Sequence, residues 1–199
     1  MGQAKQRATA LTAWQNSLSA DERIVASVSG TVYERFVKAL EATGMCYRIS
    51  FFLTEYLANQ HAIHVDPIVG FVNDGESEAM ASHAWVEFGG KKIDLGLTLT
   101  KDSDAQPSGP LLILDRQFTA GRAIYTYHYQ RNANAERQIQ ILLQKPKFDI
   151  RYKEIIRIKE LEHEAMQRIA RNKELIRDFL DTAPDGFSYE AIKQLVMAR

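Results

Sequence analysis

The sequence predicts an α+β fold, and two changes of hydrophobic period are what predict it. Apolar residues recur at helical spacing up to Leu57, alternate like strands between Ala62 and Gln130, and return to helical spacing from Ala133 onward. Composition agrees: in 199 residues, an apolar fraction of 45% with 10% aromatics builds a sizeable core and excludes wholesale disorder. The length fits one domain with a helical appendage, read here as a domain over 1–130 and a helical extension over 131–199.

Residues 4–17 read as a short helix with Leu11 and Trp14 on one face. Ser19-Ala20-Asp21-Glu22 has the capping-box form, with Ser19 as N-cap and Glu22 reaching back. Ile24, Val25 and Val28 follow, and Gly30 is expected to interrupt this helix. Val32, Phe36, Val37 and Leu40 predict a second helical stretch ended by Gly44. A third helix runs from Cys46 to Leu57 and buries Ile49, Phe52, Leu53 and Tyr56. Ala62 to Asn73 is strand-like, broken by Pro67, with Ile68 to Val72 as its core. Asn73-Asp74-Gly75 is a turn. Ser82–Phe88 and Lys91–Leu97 flank Gly89-Gly90, a dipeptide suited to a two-residue hairpin loop.

Residues 101–110 form a surface loop. Leu111–Leu114 and Ala123–Gln130 are further strands, and in the second Tyr125, Tyr127 and Tyr129 alternate with Ile124, Thr126 and His128. Ala133–Leu143 is a helix stopped near Lys145-Pro146. Asp149 to about Leu180 reads as one long charged helix whose apolar stripe is interrupted by Glu162 and Asn172. Pro184-Asp185-Gly186 breaks the chain again, and Ser188 caps a last helix through Leu195 and Val196.

Charge narrows the function classes. With 25 basic and 25 acidic side chains the formal net charge is +0, which argues against a general nucleic-acid binder. The basic residues from Lys145 to Lys159 (Lys145, Lys147, Arg151, Lys153, Arg157 and Lys159, against Asp149 and Glu154) read as a solvated helix face. Met1 to Arg7 is polar with no apolar stretch behind it, and Arg7 stands where a myristoylation signal would want Ser or Thr. No apolar run approaches the ~18 residues a bilayer span needs. The expected setting is the cytoplasm, with no membrane partner and no cofactor.

One cysteine cannot form an intramolecular disulfide. Cys46 follows Gly44 and opens a helix, where unpaired N–H groups and the helix dipole favour a thiolate. His83 lies in Ser82-His83-Ala84-Trp85-Val86-Glu87-Phe88, and alternation puts His83, Trp85 and Glu87 on one face. With Gly89 and Gly90 as the loop, Phe88 faces Lys91, and the pairs run back as Glu87–Lys92, Val86–Ile93 and Trp85–Asp94. Asp94 is then a diagonal neighbour of His83, roughly 7–8 Å away at the backbone and within side-chain reach. A one-residue slip would send Asp94 to the other face. A thiol, an imidazole to take its proton and a carboxylate to orient the ring are the parts of a nucleophilic triad.

Gly44-Met45-Cys46-Tyr47, Val69-Gly70-Phe71-Val72, Ser82-His83-Ala84-Trp85-Val86-Glu87 and Ile93-Asp94-Leu95 together resemble the transglutaminase-like branch of the papain-like cysteine proteases. Within that branch the chain is most similar to the leader-peptidase proteins of lasso-peptide biosynthesis. Arylamine N-acetyltransferases share the Cys-His-Asp order, but their Arg-Gly-Gly-x-Cys signature is absent here. The resemblance spans roughly residues 30 to 100, and Tyr47 replaces the tryptophan usual after the transglutaminase nucleophile. It implies a nucleophile helix packed on an antiparallel sheet, with Cys46 as nucleophile, His83 as base and Asp94 as orienter. The implied activity is thiol-dependent acyl transfer or amide or peptide hydrolysis. Its substrate would be a peptide, small amide or thioester. Tyr47 and Trp85 are the candidate substrate-binding residues, although Trp85 by itself reads as core more readily than as a wall of the site.

Plainer readings stand next to these. Cys46 alone reads as a buried residue sealing a helix end, His83 as a strand histidine bonded to a carbonyl, and Asp94 as the partner of Lys91 or Lys92. His61, His64 and Asp66 read as a loop group rather than a metal site. The Tyr125-Tyr127-Tyr129 stripe reads equally well as a half-buried aromatic strand and as a surface to stack on bases or a sugar. The rival function is a non-catalytic scaffold of the same fold, binding a protein partner through its sheet and long C-terminal helix. It predicts an inert Cys46 far from His83.

Overall fold

Ser19 and Glu22 close the capping box their spacing predicts. In the computed structural model, which describes residues 2–76, 78–101, 103–104, 106–144, 150–184 and 186–198, the Ser19 hydroxyl accepts the Glu22 N–H at 3.2 Å and the Glu22 carboxylate accepts the Ser19 N–H at 2.7 Å. The same carboxylate accepts Lys91 Nζ at 2.6 Å, tying the start of this helix to the hairpin tip. Helix α1 spans Gly2–Ser17, and α2 spans Ala20–Val32. Gly30 does not interrupt α2, contrary to the sequence reading. The helix continues into a π-helical turn over Tyr33–Lys38, because burial of Val28, Val32 and Phe36 outweighs the ~1 kcal/mol a helical glycine loses. Gly44, at φ +67°, precedes α3 (Cys46–His61).

Among the described residues, six strands form one antiparallel, curled sheet in the order β5-β4-β3-β2-β1-β6. They are β1 Asp66–Asn73, β2 Ala81–Phe88, β3 Lys91–Asp94, β4 Leu112–Ile113, β5 Arg116–Gln117 and β6 Thr126–His128. Pro67 sits inside β1 without breaking it, since β6 pairs only with Phe71 to Asn73 and leaves the Pro67 end as an edge. Strand β5 is an addition to the sequence reading. Its tight turn is made by Leu114 and Asp115 at φ +53° and +61°, positions usually betrayed by Gly or Asn.

The helical remainder is α4 (Ala133–Gln144), α5 (Ile150–Ala170), α6 (Lys173–Asp181) and α7 (Tyr189–Met197). The long helix expected to reach Leu180 is two helices. Asn172 leaves helical geometry, and its side chain accepts the Glu174 and Leu175 N–H groups at 2.9 and 3.2 Å, capping α6. The stop at Lys145-Pro146, the residues Lys147 and Asp149, and Asp185 of the last break lie outside the described residues.

The boundary at residue 130 does not separate two cores. Ile176, Leu180, Tyr189, Ile192 and Val196 are buried in the same cluster as Val25 and Phe36 near the N-terminus, Phe52 and Leu57 of α3, and Ala84 and Val86 of β2. Arg48 of α3 holds the join: it donates to the Phe187 carbonyl at 3.1 Å, with its guanidinium 4.7 Å above the Phe179 ring. Among the described residues no helix is long and apolar enough to cross a membrane.

Candidate active site

Cys46 is the first residue of α3, half-buried and unpaired in any disulfide. Helices α2, α6 and α7 have Ser19, Asn172 and Ser188 as side-chain caps, whereas Met45 supplies none to α3. The first-turn N–H groups of α3 thus lack a side-chain acceptor at the place where the thiol sits, and the dipole favours negative charge there.

The hairpin has the register read from Gly89-Gly90: Phe88 pairs with Lys91, Glu87 with Lys92 and Val86 with Ile93. That register brings Asp94 to His83. His83 Nε2 donates to Asp94 Oδ2 at 2.7 Å, with both side chains buried. Asp94 Oδ2 also accepts the Tyr127 hydroxyl at 2.8 Å, and Oδ1 accepts the Gly96 and Leu97 N–H groups at 2.9 and 3.3 Å. Folding the carboxylate back onto these amides ends β3 at Asp94, short of the Leu97 the sequence suggests. Lys91 goes to Glu22, so the plain Lys91–Asp94 pairing is not what forms.

Gly96 closes the cluster. A Cβ on it would stand 3.2 Å from Cys46 Cβ and 3.4 Å from His83 Cε1, so the two side chains flank one point. With Nε2 committed to Asp94, Nδ1 is the ring nitrogen left for the thiol. Burial alone would lower the His83 pKa. The charges of Asp94 and then Cys46, with hydrogen bonds to both, outweigh it and raise the value to about 10. Burial would likewise raise Asp94, but the His83 charge, the Tyr127 hydroxyl and the Gly96 N–H hold it below its ordinary value. Burial and the Asp94 charge push Tyr127 upward, so its phenol stays a donor.

A groove of about 700 Å³ opens on this cluster, with Cys46, Tyr47, Ser82 and His83 on one side and Ile155 and Glu162 of α5 on another. Tyr47 borders the groove, its hydroxyl 2.7 Å from Ser82 Oγ. Trp85 does not, and the expectation that it walls the site is corrected. Its face of the sheet is covered by β6: Trp85 is 1% exposed, meets Tyr127 edge-to-face at 5.2 Å, and donates from Nε1 to Glu87 at 2.9 Å. Tyr127 is the residue the sequence reading missed. Its alternation with Tyr125 and Tyr129 was visible, but only the pairing of Val72 with Tyr127 carries it over Trp85 to Asp94.

His61 and His64 are exposed, and the described residues contain no group of three or more His, Cys, Asp or Glu that could hold a metal ion. Arg157 and Lys159 of the basic stretch pair with Glu154 and Glu162 at 3.8 and 2.5 Å, while Lys145 and Lys147 lie outside the described residues. Compared with known proteins, the chain matches no family model, no curated protein and no solved structure. Fold and site together define an α+β domain with a buried His–Asp pair beside a helix-initial cysteine.

Proposed function

We propose that this protein is a thiol-dependent enzyme acting by acyl transfer or by hydrolysis of an amide, thioester or peptide bond, with Cys46, His83 and Asp94 as its triad. The observation that carries the reading is geometric: a histidine bonded at 2.7 Å to a buried carboxylate faces, across Gly96, a groove-lining cysteine at the start of a helix. An imidazolium at that position is the counter-ion a thiolate needs. The Cys46 thiolate attacks the carbonyl carbon, forming the C–S bond as the carbonyl π pair moves to oxygen. The Cys46 N–H, first in α3, is the oxyanion donor. Collapse of the tetrahedral species breaks the bond to the leaving group, which takes the His83 Nδ1 proton. The resulting thioester is attacked by water or an amine, whose proton passes to His83 as the thiolate departs. Asp94 keeps the ring oriented throughout. The resemblance to the transglutaminase-like branch supports the same roles and a core of that type, and the groove volume suits a short peptide segment.

Intact-mass analysis after exposure to a peptide thioester tests this. A single acyl adduct should form on Cys46, be absent from Cys46→Ala, and form at least ~100-fold more slowly in His83→Ala. No adduct, or one indifferent to His83, contradicts the reading and favours the scaffold.

A further inference from the structure

Two residues that the triad does not use stand next to it in sequence and are bonded to each other. Tyr47 follows Cys46 on α3, Ser82 precedes His83 on β2, and Tyr47 Oη lies 2.7 Å from Ser82 Oγ. Ser82 Oγ lies 2.5 Å from His163 Nδ1, on α5. His163 is buried and stacked on Phe71 with ring centroids 4.3 Å apart. Burial, helped by the charge of Arg131 and opposed by Glu160 and Glu164, lowers its pKa, so the ring is neutral and Nδ1 can accept. Burial, with the Cys46 charge, raises the Tyr47 pKa and keeps its phenol protonated. With a protonated phenol and a neutral ring, the three groups form one continuous chain through the Ser82 hydroxyl, which donates to one neighbour and accepts from the other.

Apart from the Cys46–His83 contact, helix α3 otherwise meets β2 through apolar side chains of one core, Ile49 and Phe52 with Ala84 and Val86. Apolar contact is non-directional and leaves the fine placement of a helix more freedom than a directional hydrogen bond does. A hydrogen bond at the first turn of α3 removes that freedom at the level of the thiol.

We propose that Tyr47, Ser82 and His163 are positioning residues that set the separation of Cys46 from His83, so that the C-terminal helices complete the site. This inference rests on the thiol reading above. None of the three need touch the reacting carbonyl. They act through the segments that carry the nucleophile and base, where a misplacement of ~1 Å costs on the order of 100-fold in rate.

The test is the rate of Cys46 alkylation by iodoacetamide at pH 7, with the thermal midpoint of each variant measured alongside. Tyr47→Phe, Ser82→Ala and His163→Leu should each lose roughly tenfold or more in rate. His163→Asn, whose side-chain amide can replace Nδ1 as acceptor or as donor, should stay within about threefold, a rescue that bulk packing alone would not give. The Tyr47→Phe/Ser82→Ala double variant should be no slower than the slower single, because both cut one chain. Tyr47→Phe removes a single oxygen and keeps the test open if His163→Leu fails to fold. Wild-type rates in Tyr47→Phe and Ser82→Ala, while His83→Ala is slow, would overturn the positioning role alone. A wild-type rate no faster than that of His83→Ala would overturn the catalytic reading and this inference with it.

Discussion

Asp94 accepts four hydrogen bonds and has almost no exposed surface, which makes its charge both the costliest and the best supported in the site. The sign of its linkage to pH follows from the shifts. His83 is raised from 6.5 to about 10 in the folded state, so its contribution to stability is complete below 6.5 and is lost as pH climbs through about 10. Asp94 is lowered from 3.8, so its contribution is present above 3.8 and is lost as pH falls through its depressed value. Urea unfolding across pH should show wild-type stability declining on both limbs. Asp94→Asn should be less stable by ~3 kcal/mol at neutral pH and should lose most of the decline between pH 7 and 10. An unchanged alkaline slope in that variant would contradict the pairing. Asp94 was legible in the sequence because a two-glycine loop fixes register, and register fixes the face. The bond from Tyr127 to Asp94 was not legible: alternation tells which face a side chain takes but not which strand covers it.

At the scale of elements, β6 is the piece that the site depends on and that local pattern describes least. Its approach to β1 requires Gly70, where a Cβ would run into the His128 carbonyl and come within 2.7 Å of Trp85 Cη2. Gly70→Ala should cost ~1–3 kcal/mol as β6 shifts outward. Because β6 carries Tyr127, acylation of Cys46 should slow as well. Chemical denaturation and adduct formation measured together check this, and a variant as stable as wild type would contradict it. With Gly89-Gly90 adding the hairpin, period identified α3, β1 and β2. It joined α5 to α6 because the apolar stripe resumes after Asn172 with Ile176 and Phe179, and only the capping geometry separates the two. It passed over β5 because Leu114 and Asp115 carry no glycine to mark a left-handed turn.

Across the whole molecule, the last two helices, α6 and α7, are part of the core, not an addition to it. Tyr189, Ile192 and Leu180 are fully covered by the helices of the first half, and Arg48 reaches from α3 to carbonyls that close α6 and precede α7. The sequence shows that these segments are helical and amphipathic. Which surface they cover depends on contacts between residues more than a hundred positions apart, such as Arg48 with Phe187, and no local pattern records those. The reactive state assigned to Cys46 is likewise a property of the assembled fold, since His83, Asp94 and Tyr127 reach it from three strands. The most direct test is the iodoacetamide alkylation rate of Cys46 at pH 7 in the folded protein against the urea-unfolded chain, for wild type and His83→Ala. Folded wild type should react at least ~10-fold faster than its unfolded chain, and folded His83→Ala should show no such advantage. A Cys46 that reacts only once the protein unfolds would contradict the account.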